Sequence, residues 1–276
     1  MTTEPLELTL TDARTGAIAT IAPARGGIVT RFDVAERRVL FLDAATLRDP
    51  TKNVRGGVPV LFPSPGKLVD DAWAFAGRRG AMKQHGFARN VAWQVAAASE
   101  SAVTLTLAAT EATRAQFPWD FEIEHTVTLR GTSLVLAQRI TNRSDEAMPF
   151  GFGFHPYFHV PDAAKRDTTI ATRATRAFDN VARQTVALAG IDLTRPEVDL
   201  HLLDHGSTES QLAGPAGTVR LIGSPEYTHW VVWTLAGRDF VCLEPWTCPG
   251  NALNTGDRLL VLAPGETRAL SLEIAA

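Results

Sequence analysis

The sequence predicts an all-β protein, a large antiparallel β-sandwich, and three observations carry that expectation. Short stretches place β-branched and aromatic residues at near-period-two spacing, as half-buried strands do. Turn-forming clusters separate these stretches at a regular beat, which suits antiparallel sheets packed face to face. Helical periodicity is scarce along the chain.

Taken in order, LELTLTD and AIATIAP open the chain as strands and are closed by the ARGG turn. VTLTLAAT, FEIEHTVTL and SLVLAQRITN follow, and LRGT between the last two is a turn signal. RPEVDLHLLD, residues 195–204, is the best helical candidate, of a turn or two. TVRLIG follows the turn-former LAGPAGT, and HWVVWTL runs into LAGRD. After APGET, TRALSLEIAA reads as a last strand closing the same unit. With no internal repeat, low-complexity tract or linker of altered composition, residues 1–276 read as one domain.

Composition narrows the function classes. The chain has 276 residues, and its apolar fraction of 45% can fill a substantial core. A net charge of −3 argues against a nucleic-acid surface, which needs a strongly basic face. No apolar run is long enough to span a bilayer, and MTTEPLELTL lacks the pattern of a secretory signal. Cys242 and Cys248 form neither a disulfide framework nor a metal-ligand pattern by themselves. A cytoplasmic protein is expected.

Four segments break the strand rhythm by concentrating polar residues among glycine and proline: NVRGGVPVLFPSPGKL, QHGFARN, FGFGFHPYFHV and CLEPWTCPGNALNTG. In the third, Phe150, Phe152 and Phe154 share one strand face, and Gly151, Gly153 and His155 share the other. Two cleared positions beside an imidazole leave room for a ligand, and Pro156 then stops the strand. Histidine suits general acid work near neutral pH. His159 has the same parity, yet a metal site built on the two histidines would need further ligands. If DFVCLEPW is a strand, Phe240, Cys242, Glu244 and Trp246 share a face. An apolar setting raises a carboxyl pKa toward the range of an efficient general base, and the indole of Trp246 offers a surface for a sugar ring. The bland alternatives are a structural histidine and a glutamate capping loop amides. Arg55, Lys67, Lys83 and Arg89 flank RGG and HGFAR, and arginine forks recognise hydroxyls, carboxylates or phosphates. Asp204 could accept bonds from sugar hydroxyls or serve as a turn residue.

The ordered set RGGVPVLFP, QHGFARN, GFHPYF, CLEPWTCPGNALNTG and LAPGET resembles the aldose 1-epimerase (galactose mutarotase-like) family, from about residue 20 to the C-terminus. The resemblance implies a β-sandwich whose concave face holds a sugar, with His155 as general acid and Glu244 as general base. It also implies sugar contacts at Arg55, Gln84, His85, Arg89 and Asp204. On this reading the cleared face of FGFGF is the floor of a sugar cleft. The implied reaction is acid–base ring opening and reclosure, with no metal or organic cofactor and a small-molecule sugar or sugar phosphate as partner rather than nucleic acid or membrane. RGG and QHGFARN look like the branch acting on hexose 6-phosphates, and FPSPGKLVDD looks like the free-sugar branch. Two rival readings are a non-catalytic carbohydrate-binding protein of the same fold and a glycoside hydrolase. The latter needs a second carboxylate, with Asp204 or Asp257 as the conceivable partner of Glu244.

Overall fold

The computed structural model describes residues 7–276, so the first six residues of MTTEPLELTL lie outside it. Two large antiparallel sheets dominate. One runs Thr169–Ala171, Glu209–Gly214, Gly217–Gly223, Thr267–Ala275, Ser133–Asn142, Phe121–Arg130, Ala102–Ala108, Gln94–Ala98 in spatial order. The other runs Gln184–Ala187, Arg176–Asp179, Glu197–Leu202, His229–Leu235, Phe240–Trp246, Gly153–Phe154, Val60–Leu61, with Tyr157–His159 also paired to Phe240–Trp246. A four-stranded sheet formed by Leu8–Asp12, Ala17–Ala22, Ile28–Val34 and Arg37–Arg38 adds to this frame.

The strands form where the alternation demands them. Phe121–Arg130 buries every second residue from Phe121 to Leu129, and its register pairs Ile123 with Ile140 and Val127 with Leu136. Leu105, Ile123, Leu136 and Leu272 of the first sheet belong to one continuous apolar core with Leu200, Trp230, Val232, Val241 and Leu243 of the second. Because side chains alternate across a strand, burying Trp230 and Val232 turns His229, Val231 and Trp233 to the opposite face. Likewise, Val241 and Leu243 face the core while Cys242, Glu244 and Trp246 face the other way. That second face is the one that carries the polar residues.

Two expectations are corrected. Residues 195–204 hold no helix: Glu197–Leu202 is a strand between Arg176–Asp179 and His229–Leu235. Val198, Leu200 and Leu202 are buried at period two, so the alternation within EVDLHL overrides the helical impression given by the longer run. The strand expected up to Pro156 is broken in two, Met148–Phe150 and Gly153–Phe154, and pairing resumes beyond the proline in Tyr157–His159. Phe150, Phe152 and Phe154 do lie in the core, as parity requires. The space opposite them is filled by protein. A Cβ on Gly153 would lie 2.7 Å from Cδ1 of Trp246 and 3.0 Å from Pro65, and one on Gly151 would meet Cys248 Sγ and Pro65. The glycines therefore admit Trp246, Cys248 and Pro65 close to the backbone, and no sugar floor is formed by them.

Candidate active site

A cavity of about 780 Å³ opens on the polar face of the second sheet. Glu244 reaches its base from Phe240–Trp246, and His155 comes from the turn after Gly153–Phe154. The His155 amide donates to the Pro59 carbonyl and the Tyr157 amide to Gly57, fixing the HPY turn against the RGG segment. Gly57 itself has φ 63°, and a Cβ there would strike the Val29 carbonyl, so only glycine fits this approach.

His155 Nε2 stands 3.3 Å from Glu244 Oε1, both side chains being almost wholly buried. The Trp246 indole donates from Nε1 to the other carboxyl oxygen at 3.2 Å. The imidazole stacks on Tyr157 at 4.7 Å with 9° between planes, and the rings of His85 and Trp233 meet it edge-on at 5.6 and 5.7 Å. Its Nδ1 is buried with no hydrogen-bond partner. Burial is the main cause that pushes His155 well below the usual histidine range, with His85, Arg89 and Arg55 adding to it. Burial likewise pushes Glu244 well above the carboxylate range, helped by Asp199 and opposed by the Trp246 bond and Arg89. Neither group carries a charge cheaply here, although the two lie within ion-pairing distance of each other.

Arg55, Gln84, His85 and Arg89 all line the same cavity. The Arg55 guanidinium lies 5.7 Å from the Trp233 ring centroid. Asp43 caps the short helix Ala44–Arg48, and Asp49 binds Thr51 and Lys52, so neither carboxylate braces Arg55. Arg89 donates from Nη2 to the Gln84 carbonyl at 3.3 Å, while its buried Nε has no partner. His85 is bonded through Nδ1 to the Pro65 carbonyl and is pushed down to about 3, chiefly by burial. Lys67 also lines the cavity, whereas Lys83 pairs with Asp71 at 2.9 Å away from it. Trp246 lines the cavity too, but its indole is only 2% exposed. It packs against the rings of His85, His201 and His229, which fits holding Glu244 better than presenting a broad sugar platform.

Asp204 stands apart from the cavity. It accepts bonds from the Thr175 amide and hydroxyl and the Arg176 amide, and those bonds hold its pKa down. The strand that replaces the expected helix brings Asp199 and His201 to the cleft in its stead. Burial pushes the Asp199 carboxyl up, and Asn180 donates to its Oδ2 at 2.8 Å. Asp199, His201, His229 and Asn180 are cleft residues absent from the sequence reading. Strict alternation in EVDLHL would have revealed the first two. His155, Cys242 and Glu244 place three potential metal ligands within 4.8 Å of one another. The Cys242 thiol, however, is pushed well up by burial, which disfavours the thiolate that a metal needs.

The fold and site together define a β-sandwich with a buried histidine–glutamate contact at the base of a polar cleft. The chain belongs to the aldose 1-epimerase family, whose sequence profile matches residues 9–275. A protein of Cenchrus ciliaris named "Putative glucose-6-phosphate 1-epimerase" is 32% identical over 154 residues, a match covering 51% of this chain and 43% of that protein. Protein LacX of Lactococcus lactis is 23% identical over 247 residues, covering 79% of this chain and 82% of LacX. Among solved structures, the Slr1438 protein from Synechocystis superposes with a TM-score of 0.95 at 35% identity, covering 100% of this chain and 97% of that one. A galactose mutarotase-like protein from Lactobacillus casei has a TM-score of 0.79 at 21% identity, with 98% and 99% covered, and so shares the fold.

Proposed function

We propose that this protein is an aldose 1-epimerase that interconverts the anomers of an aldohexose 6-phosphate by acid–base ring opening. The observation that carries this reading is the buried contact of 3.3 Å between His155 Nε2 and Glu244 Oε1 at the base of the cavity. Burial disfavours both charges, which favours a neutral imidazole beside a protonated Glu244 carboxyl, the pair holding one exchangeable proton on the acid. A single transfer across the pair yields a carboxylate and an imidazolium, the working forms. The Glu244 carboxylate takes the proton of the anomeric hydroxyl while His155 gives its proton to the ring oxygen, and the C1–O5 bond breaks. Rotation about C1–C2 and the reverse steps close the other anomer, leaving the pair with one proton as before. Positioned proton transfer of this kind contributes roughly 10²–10⁴-fold in rate.

The phosphate is argued from Arg55 and Arg89. Both line the cavity, no described carboxylate pairs with the Arg55 guanidinium, and the buried Nε of Arg89 has no partner. Charge-assisted bidentate bonds to a phosphate would satisfy such forks. The carboxylates that the hydrolase reading expected, Asp204 and Asp257, do not line the cavity; Asp199 does, and the reading then turns on reducing-end release rather than on a missing acid. Polarimetry of freshly dissolved α-glucose and α-glucose 6-phosphate tests the proposal. Faster anomerisation is expected, with kcat/KM higher for the phosphorylated sugar and that preference collapsing in Arg89→Met. Reducing-end release from glycosides without anomerisation would overturn the epimerase reading. Equal efficiency on both sugars would overturn the choice of phosphate.

A further inference from the structure

Beyond Trp246, a chain of hydrogen-bonding side chains runs from Arg258 into the cleft. Arg258 Nη2 lies 3.3 Å from His229 Nδ1, and His229 Nε2 lies 2.9 Å from His201 Nδ1. His201 Nε2 then faces Asp199 Oδ1 at 3.7 Å, too far for a hydrogen bond. His201, His229 and Asp199 all line the cavity.

The direction of this chain follows from elementary chemistry. A guanidinium only donates, so His229 Nδ1 must accept and its proton must sit on Nε2. That N–H donates to His201 Nδ1, which places the proton of a neutral His201 on Nε2. Burial, with the Arg258 guanidinium adding to it, pushes His229 well below the usual histidine range, and burial lowers His201 as well, against the pull of Asp199. A doubly protonated His201 would turn a second N–H against that of His229. We propose that Arg258 and His229 are positioning residues that fix the tautomer of His201, so that its Nε2–H is presented to a sugar hydroxyl beside the Asp199 carboxylate as acceptor. The proposal rests on the sugar reading above and deepens it.

Two features show that the chain is built to hold this direction. Arg258 sits at φ 51°, in the left-handed region, and its fork is anchored to the Thr228 carbonyl at 3.3 Å and to Asp257 at 3.4 Å. Asp199 is fixed from its other oxygen by Asn180. A hydroxyl, or two on adjacent ring carbons, both donates and accepts, so a fixed N–H beside a fixed carboxylate reads it in one orientation. A histidine free to change tautomer would offer a lone pair there part of the time, and it would then repel the same hydroxyl oxygen.

The test uses the His229→Gln and His229→Met pair. A glutamine amide can accept from Arg258 through oxygen and donate to His201 through nitrogen, preserving the direction, whereas methionine fills the space and does neither. Two-bond ¹⁵N–¹H spectra of the sugar-free protein near neutral pH report the tautomers without any turnover, so failure here is distinct from failure of the epimerase reading. His201 and His229 are both expected as Nε2–H forms in wild type and His201 likewise in His229→Gln, with a mixture in His229→Met. KM for glucose 6-phosphate is expected to rise about 3–10-fold in His229→Met, the loss of one neutral hydrogen bond, with little change in kcat and near-wild-type KM in His229→Gln. Arg258→Met, at an exposed position, should reproduce the methionine result if His229→Met folds poorly. A wild-type His201 protonated on Nδ1, or equal KM values in the glutamine and methionine variants, would overturn the proposal.

Discussion

Gly153→Ala tests how the backbone of the second sheet controls the Glu244 carboxyl. The added Cβ would lie 2.7 Å from Trp246 Cδ1 and 3.0 Å from Pro65 Cβ. Carbon contacts are comfortable near ~3.5–4.0 Å, so the indole must retreat by about 0.8 Å or the strand must part. Overpacking of this kind costs about 1–3 kcal/mol, which for a chain of this size lowers Tm by about 2–12 °C. The indole is also the donor to Glu244 Oε2 at 3.2 Å, so its retreat loosens the carboxyl that His155 faces. Misplacing a reacting group by about 1 Å costs up to about 10²-fold in rate. Scanning calorimetry and polarimetric kcat should therefore fall together. Gly190→Ala is the control, because nothing lies within 4 Å of a Cβ there and its backbone is unstrained. A Gly153→Ala protein with the Tm and turnover of the control would show that the glycine does not set the indole, and the reasoning would fail.

His155→Asn and Glu244→Gln are each expected to keep the fold and lose roughly 10²–10⁴-fold in kcat by polarimetry, because either change removes one of the two groups that the proposed proton transfer needs. Asp204→Ala should lower Tm, since three hydrogen bonds to Thr175 and Arg176 vanish, while kcat/KM stays near wild type. Asp199→Asn should instead raise KM with Tm little changed, because its carboxylate faces the cleft. Glu244→Gln should also be more stable than wild type in urea titrations at pH 8. The folded carboxyl titrates well above its ordinary value of 4.5, so the stability tied to its proton is full below that value and is lost as pH rises through the raised pKa. The advantage of glutamine should shrink as pH falls toward 4.5, and an advantage independent of pH would contradict the cause assigned to the shift.

Much of the fold was legible because the chain alternates plainly. The strands at Ala17–Ala22, Phe121–Arg130, Ser133–Asn142 and Thr267–Ala275 fall where period-two spacing put them. RPEVDLHLLD misled because Leu202 and Leu203 adjoin and Pro196 sits where a helix could begin. Leu203 is 38% exposed, so it does not belong to the buried row of Val198, Leu200 and Leu202. Reading a helix there also hid that alternation turns Asp199 toward the cavity, whereas Asp204, the sugar contact that the resemblance implied, lies outside its lining. For FGFGF, local parity correctly put the phenylalanines inward, but it could not reveal what occupies the other side. Trp246 and Pro65 arrive there from segments far away in the chain, brought by the pairing of Gly153 with both Trp246 and Leu61. Arg55 shows the same limit from the opposite direction. Asp43 and Asp49 are near it in sequence, yet both spend their oxygens on their own turns.

The energetics of the His155–Glu244 pair bear on the choice between a sugar binder and an enzyme. Taking two ionisable groups out of water is costly, and well-packed apolar residues of similar volume are often the more stable solution. Here the cost is increased by an unpartnered Nδ1 on His155 and by the cationic residues that lower its pKa further. Among the described residues the Trp246 N–H alone donates a hydrogen bond to the carboxyl, and the imidazole is held by flat contact with Tyr157 rather than by a bond to Nδ1. A binding protein would gain more from satisfied, neutral hydrogen bonds to the sugar. A pair kept close, largely buried and only partly bonded is suited to a proton that must leave one group and return through the other, which is the demand that the proposed anomer exchange makes.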